Sequence, residues 1–361
     1  MRIIFFVFAL FLLMQCKFEK NKSNILSNKV ELIHENDVQL KTSSILFGRF
    51  RQEFTNSSDG QYWAFHDFTK QQILVFKSNG DFVTTIGSKG RGPSEFENVF
   101  GFTFDEENTI WAFDEKLDLF KNFNLSDSLI NTYHGIYENG FLQSHPQLFV
   151  NKGKIYIPIT EVKFNTMDYT KIWQSALMAV YDTNGSFLNM HGRFGPPAEN
   201  PDTYNVRAML DFDFHNNTVL SAYTTSYLLG EFDLESNQNK FFGVEPPNFK
   251  TATEKTTVDD SFSEILEKGL SRSAPMSAYI TKDYYIFYYQ NLSQSWYDTR
   301  SPNNKSHYLV LYNRSTKEFI KELKLPYALG NITRENDIHL IKSFDPDNFM
   351  IAEYKLKISY K

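Results

Sequence analysis

Residues 61–87 read QYWAFHDFTKQQILVFKSNGDFVTTIG. Three runs, YWAFHD, QILVFK and FVTTIG, each alternate bulky apolar and smaller or polar residues, the period-2 signature of half-buried antiparallel strands. Between the last two lies Ser78-Asn79-Gly80-Asp81, whose Asn-Gly pair adopts positive φ cheaply and so favours a tight hairpin. The same plan recurs outward from this stretch. VFGFTFD, EENT, IWAFDEK, DLFKNFN, LSDS and LINTYHG follow over 99–135, and partial copies centre on 176–192, 227–244 and 307–326. Four strands per unit is the size of a propeller blade. The aromatic before each third-to-fourth strand turn falls at Phe76, Phe123, Tyr181, Phe232 and Tyr312, marking five blades. The tail 336–357 (NDIHLIKSFDPDNFMIAEYKLK) supplies an inner strand pair around Asp345-Pro346-Asp347-Asn348, and 29–42 (KVELIHENDVQLKT) has strand character without a blade of its own. Together they predict a sixth blade that joins both chain ends and removes exposed sheet edges. The expected fold is all-β: one six-bladed β-propeller of four-stranded antiparallel blades over 29–361, its ring closed by N- and C-terminal strands.

The charge balance, 37 Lys plus Arg against 43 Asp plus Glu, gives a formal −6 and argues against a nucleic-acid partner. A single cysteine, Cys16, excludes a disulfide framework and a thiolate-rich metal site within one chain. No cofactor is expected. The sequence 86–92 (IGSKGRG) follows a strand as a phosphate loop would, but runs into Pro93 and another strand instead of a helix. The eight histidines form no His-Glu-x-x-His, and no Gly-x-Ser-x-Gly elbow occurs, so no metal site or nucleophile is assigned. Asp211 and Asp213 share one face of the strand MLDFDF, where they could bind calcium or form a solvated or hydrogen-bonded pair; the second reading is preferred. Asp67 and Asp114 recur at the end of the second strand, which points to turn capping or blade bracing.

Residues 1–14 (MRIIFFVFALFLLM) pair one cation with a short apolar run, the pattern of an export signal over 1–15, too short for a spanning helix. Leu13-Met14-Gln15-Cys16 resembles a bacterial lipobox, with Cys16 as the lipidation site. Residues 16–28 then form a polar tether to a membrane anchor.

The junction 86–96 (IGSKGRGPSEF) carries Gly-x-Gly-Pro-x-Glu-Phe, followed by a strand pair ending in Asp114, and a degenerate copy stands at 192–199 (GRFGPPAE). These stretches resemble the NHL-like and TolB-like six-bladed propeller repeat. With the lipobox, the chain is similar to the six-bladed β-propeller lipoproteins of Gram-negative bacteria, mostly of unknown function. That resemblance implies a propeller in the cell envelope, lipid-anchored to the outer membrane, and it implies fold far more than function.

Loop lengths carry the functional expectation. In a propeller the first-to-second and third-to-fourth turns share one face, and the second-to-third and inter-blade connections share the other. The first class is tight throughout, whereas the long insertions 160–176, 193–206, 246–274 and 290–306 all belong to the second. Long loops in compact domains are usually either functional or disordered. The candidate ligand-binding residues are Arg91, Arg193, Arg207 and Arg300, with Tyr169, Trp173, Tyr204 and Trp296 around them. Arginine beside aromatic rings suits carboxylate-bearing sugars or peptides. Within the longest insertion, Phe262, Ile265, Leu266 and Leu270 make one stripe of a short amphipathic helix. The expected role is a membrane-anchored binding or interaction protein that presents this face to a glycan, peptide or envelope protein. The alternative is a lyase or hydrolase of envelope or scavenged polymers, with His66, His134, Asp211 and Tyr204 as its candidates.

Overall fold

A computed structural model describes residues 29–42, 48, 54–164, 169–195, 207–252, 254, 256, 259–299, 301 and 304–359. The chain divides into residues 32–356 and a unit of its two ends, 1–31 with 357–361. In that end unit the described residues are extended strand, and Lys29 pairs with Glu31 at 2.7 Å.

Strand β1 (Lys29–Gln39) precedes the blades. Blade 1 holds β2 (Thr55–Asn56), β3 (Tyr62–Asp67), β4 (Gln72–Lys77) and β5 (Phe82–Ile86). Blade 2 holds β6 (Val99–Phe104), β7 (Ile110–Asp114), β8 (Leu119–Phe123) and β9 (Leu129–His134). In blade 3, β10 (Phe141–Gln143) and β11 (Phe149–Asn151) share β12 (Lys154–Glu161), followed by β13 (Met178–Asp182) and β14 (Phe187–His191). Blade 4 comprises β15 (Ala208–Asp213), β16 (Thr218–Tyr223), β17 (Ser226–Asp233) and β18 (Asn239–Phe242). Blade 5 comprises β19 (Ser273–Ile280), β20 (Tyr284–Asn291), β21 (Ser306–Asn313) and β22 (Phe319–Leu325). Blade 6 is β23 (Ala328–Ile332), β24 (Asp337–Ser343) and β25 (Met350–Ser359), with β1 as its outermost strand.

The five marker aromatics Phe76, Phe123, Tyr181, Phe232 and Tyr312 are all fully buried. At four of them, Phe76, Phe123, Tyr181 and Tyr312, the pairing with the outermost strand slips by a bulge. A bulge sharpens local twist, which splays each blade outward while its aromatic fills the space against the neighbour. The core therefore lies between blades, and each such ring contributes about 1.5–3 kcal/mol by leaving water.

The blades are linked by a repeated contact. At three junctions a residue one or two places after the outermost strand meets the end of the next blade's third strand or the turn beyond it: Gly87 N–H to Asp127 Oδ1 (3.0 Å), Gly192 N–H to Asn237 Oδ1 (3.1 Å), and the Val244 carbonyl, which accepts the Tyr312 O–H (3.3 Å). Lys41 N–H makes the same contact to the Gly80 carbonyl (2.9 Å), from blade 6 to blade 1. Gly80 sits at φ +88°, and a Cβ there would overlap the Gln39 carbonyl, so both its turn and this approach require glycine. Between the same two blades Val38, Leu40, Trp63, Phe65, Ile341 and Phe349 form one buried cluster. β1 runs antiparallel to β25, since Gln39 bonds Asn348 while His34 packs on Tyr354. The ring is thus closed by N- and C-terminal strands.

Two expectations are corrected. The C-terminal segment gives three strands and not two, because β23 lies ahead of the tail read from the sequence. The 345–348 turn consequently joins second and third strands, on the same side as the insertions. Blade 3 also has its first strand broken between β10 and β11 by Ser144–Leu148, a break that includes Pro146.

Candidate functional site

The long connections leave the strands where the sequence places them. Residues 162–177 join β12 to β13, 192–207 join β14 to β15, 243–272 join β18 to β19, and 292–305 join β20 to β21. All are second-to-third or inter-blade connections, and so share one face.

At the blade 1 to blade 2 junction the signature residues form a clasp. Glu95 Oε2 accepts the Gly92 N–H at 2.8 Å, and a Cβ on Gly90 would overlap that carboxylate. The Lys121 ammonium, 1% exposed, donates to the carbonyls of Gly92 and Glu95 and lies 5.2 Å from the Phe96 ring centroid. Burial pushes the Lys121 pKa down, opposed by the nearby Asp114 and Glu95 carboxylates. The Gly-x-Gly-Pro-x-Glu-Phe stretch is therefore structural. Asp67 and Asp114 act similarly at fully buried positions. Asp114 accepts from the N–H groups of Glu97 and Asn98 (2.8 and 3.1 Å), and Asp67 from that of Gly48 (2.7 Å), fixing the chain entering each blade.

The candidate binding residues are dispersed. Arg91 pairs with Glu97 of its own junction (Nε to Oε2, 2.9 Å) and its side chain is 77% exposed. Such an exposed pair adds little stability. Arg193 is exposed beside the buried Phe194, and its carbonyl accepts from Asn239. Arg207, half-buried, leads into β15, its backbone N–H donating to Thr224 Oγ1 at 3.1 Å. Tyr169 and Trp173 lie in the 3-10 helix Tyr169–Gln174, with Trp173 exposed. Trp296 belongs to helix α2 (Gln294–Thr299), with the Lys305 ammonium 5.4 Å from its ring centroid. Tyr204, Arg300 and the lipidation site Cys16 lie outside the described residues.

The enzyme candidates are not gathered either. His66 is buried in the second strand of blade 1, His134 is exposed at the end of β9, and Asp211 lies in β15. Asp211 and Asp213 form a hydrogen-bonded pair of sites, each held by its own arginine. Asp211 Oδ2 accepts from the Ile280 N–H (2.6 Å) and from Arg334 (3.1 Å), and Arg334 also donates to the Ile280 and Phe212 carbonyls. Asp213 pairs with Arg314. Burial pushes the Asp213 carboxyl up, but the Asn216 amide and Arg314 outweigh it and hold the group below the usual range.

Two concavities stand out. One, of about 670 Å³, lies on the insertion-bearing face of blade 5, between Asn248–Lys250, Leu270 and Leu292–Gln294, with Tyr308 among its lining residues. The insertion is anchored there: Asn248 donates from its backbone and side-chain amides to Glu322 (3.2 and 2.6 Å), and its carbonyl accepts from Asn291 (2.9 Å). Helix α1 (Phe262–Ser271), begun by a Ser261/Glu264 capping box, supplies Leu270. The lining combines amides, hydroxyls and rings with the aliphatic side chains of Pro247, Leu270 and Leu292, and has Lys250 as its single charged residue and no carboxylate. Sequence reading missed this set because the residues come from two insertions and two strand ends, none forming a local motif.

The other concavity, about 580 Å³, is the central channel, lined by the first strands of all six blades. Its walls reach the first-to-second turns of blade 1 (Ser57–Gly60) and blade 6 (Thr333–Asp337), so it opens on the tight-turn side. None of the described members of the predicted binding set lines it.

Among the described residues, no helix is long and apolar enough to cross a membrane. Residues 39–147 match a family described as a 6-bladed beta-propeller, DUF5128. No curated protein matches the sequence. The fold is similar to that of a DUF4221 family member from Bacteroides vulgatus, with TM-score 0.65, 15% identity, and 92% of this chain and 100% of that chain covered. It is also similar to a Bacteroides fragilis protein whose name marks it as expected to be exported, with TM-score 0.55, 15% identity, and 91% and 95% covered. At that identity the likeness speaks for architecture: the chain is a six-bladed β-propeller similar to these Bacteroides proteins.

Proposed function

We propose that the protein is an extracytoplasmic binding lipoprotein, held at the outer membrane through Cys16, whose insertion-bearing face takes an anionic glycan. The observation that carries this reading is the blade 5 crevice: a carboxylate-free lining of amides, hydroxyls, rings and aliphatic side chains, with Lys250 exposed at its edge, in a chain of net charge −6. Neutral polar groups and aromatic faces match sugar hydroxyls and ring faces, and an ammonium group matches a uronate or other acidic substituent. Trp296, two residues beyond Gln294 in the same insertion, would extend the contact surface, while Trp173, Arg193, Arg207 and Arg91 belong to other connections of the same face. A protein or peptide ligand would use the same face. The test is binding to fractionated envelope and scavenged glycans. Lys250→Ala and Trp296→Ala should each weaken binding about tenfold or more, the loss expected for one charge-assisted or stacking contact. Asn79→Ala and Asn184→Ala, in turns on the opposite side, should leave it unchanged; the reverse pattern would refute the assignment. For the anchor, Cys16→Ala should abolish acyl labelling, and persistent labelling would exclude it.

A further inference from the structure

We infer that the central channel is a second binding site, open on the tight-turn side, for a small neutral polyhydroxylated molecule of monosaccharide or disaccharide size. The inference is independent of the crevice, which lies on the opposite side of the strands. Its first support is the chemistry of the wall. Thr55, Thr103, Gln147, Ser277 and Asn331, contributed by five different blades, surround the cavity with hydroxyls and amides. Between them Phe102, Phe149 and Tyr279, each half-buried, offer ring surface. A volume of about 580 Å³ suits a ligand of that size and lies within the ordinary range of small-molecule sites.

The second support is charge. Asp211 and Arg334 neutralise one another across blades 4 and 6, and Arg334 also donates to two carbonyls. Asp337 is paired with Lys355, and Asp59 is satisfied by Ser57, the Gln61 N–H and Asn108. Asp59 and Glu335, both exposed on the rim, bring charge without a cation beside them among the described residues. An anion entering would be repelled by these two carboxylates, while a neutral polyol would find hydroxyl and amide donors and acceptors.

The third support is an unfilled acceptor. Asn56, in the wall of the channel, has its side-chain oxygen out of water with no hydrogen-bond donor from the protein. Such a group costs free energy unless a ligand or water donates to it. The broken strand of blade 3 brings Gln147 to the wall as well. Its Oε1 accepts the Leu210 N–H at 2.8 Å and its carbonyl accepts Gln143 Nε2 at 2.7 Å, so the loop is held in place by blade 4 and by its own blade.

The test is saturation-transfer NMR and calorimetry on the full chain with glucose, N-acetylglucosamine and maltose, against ethanolamine and acetate as charged probes. At least one sugar should bind and the ions should not. Thr103→Trp, which fills the channel, should abolish binding, and Asn56→Ala should weaken it about tenfold without altering melting. Lys250→Ala, in the crevice, should have no effect. Absence of binding by all three sugars, preference for either ion, or binding untouched by both channel variants would overturn the inference. Sugar binding lost in Lys250→Ala alone would do the same while supporting the crevice reading. Should Thr103→Trp misfold, Asn56→Ala decides.

Discussion

His307 shows how one buried side chain ties stability to pH. It is 5% exposed, its Nδ1 lies 2.7 Å from the Tyr288 hydroxyl, and that hydroxyl accepts from Gln290 Nε2 at 2.8 Å. The Tyr288 proton is then directed at His307, which must be neutral to accept it. Burial, helped by the Lys305 charge, pushes the imidazole pKa down to about 4. The unfolded chain titrates near 6.5, so it binds the proton first and the folding stability falls as pH drops from 6.5 toward 4, by up to about 3 kcal/mol. Denaturant melts across that window should show the slope, and His307→Gln should flatten it. An unchanged slope in the variant would assign the pH response elsewhere. Nothing in HYLVLYN marks this histidine as different from any other in a strand, because Gln290 and Tyr288 meet it only through pairing of β20 with β21. Asp67 and Asp114 were legible for the opposite reason: they recur at one repeat position, and a carboxylate there has nearby backbone N–H groups to hold. The channel groups are spaced a blade apart, one or two per inner strand, so sequence reading had no signal to join them.

Among the elements, α1 has little support from packing. Its capping box is complete, with Ser261 Oγ accepting the Glu264 N–H at 3.3 Å and Glu264 accepting the Ser261 N–H at 2.7 Å, yet none of its ten residues is fully buried and Phe262 is 74% exposed. Losing the cap typically costs about 1 kcal/mol, a large share of what so short a helix holds. Ser261→Ala should therefore speed amide exchange across Phe262–Ser271 while the global melting temperature stays within about 1 °C; a matching global loss would show that the helix is integral to blade 5. Periodicity reads this helix from the sequence to within a few residues. It fails for β23, whose ALGNI has no alternation. Gly330 is there because its carbonyl meets the Phe54 N–H at 3.4 Å and a Cβ would overlap that ring, a long-range reason invisible locally. It fails again at β10 and β11, where Pro146 and Gln147 shape the channel instead of continuing a strand.

At the scale of the whole molecule the closing contact governs. A chain beginning at Ser43 would lack β1, expose the edge of β25 and remove Val38 and Leu40 from the cluster between blades 6 and 1. Each lost side chain costs about 1.5–3 kcal/mol, and an open edge invites pairing with other chains. That truncation should lower the unfolding midpoint and self-associate in size-exclusion chromatography, whereas a monomer with unaltered melting would mean the ring holds without its closure. The same arrangement sets a clock on synthesis. β1 is made before every other described strand, but its partner β25 begins about 300 residues later. At elongation rates of about 5–20 residues per second the strand must wait some 15–60 s for a mate. During that interval blades 1 to 5 can form by local hairpins, while the outermost strand of the last blade stays unpaired. The slowest committed step should therefore be the capture of the earliest strand by the latest, a contact of near-maximal sequence separation in a chain otherwise built from neighbours.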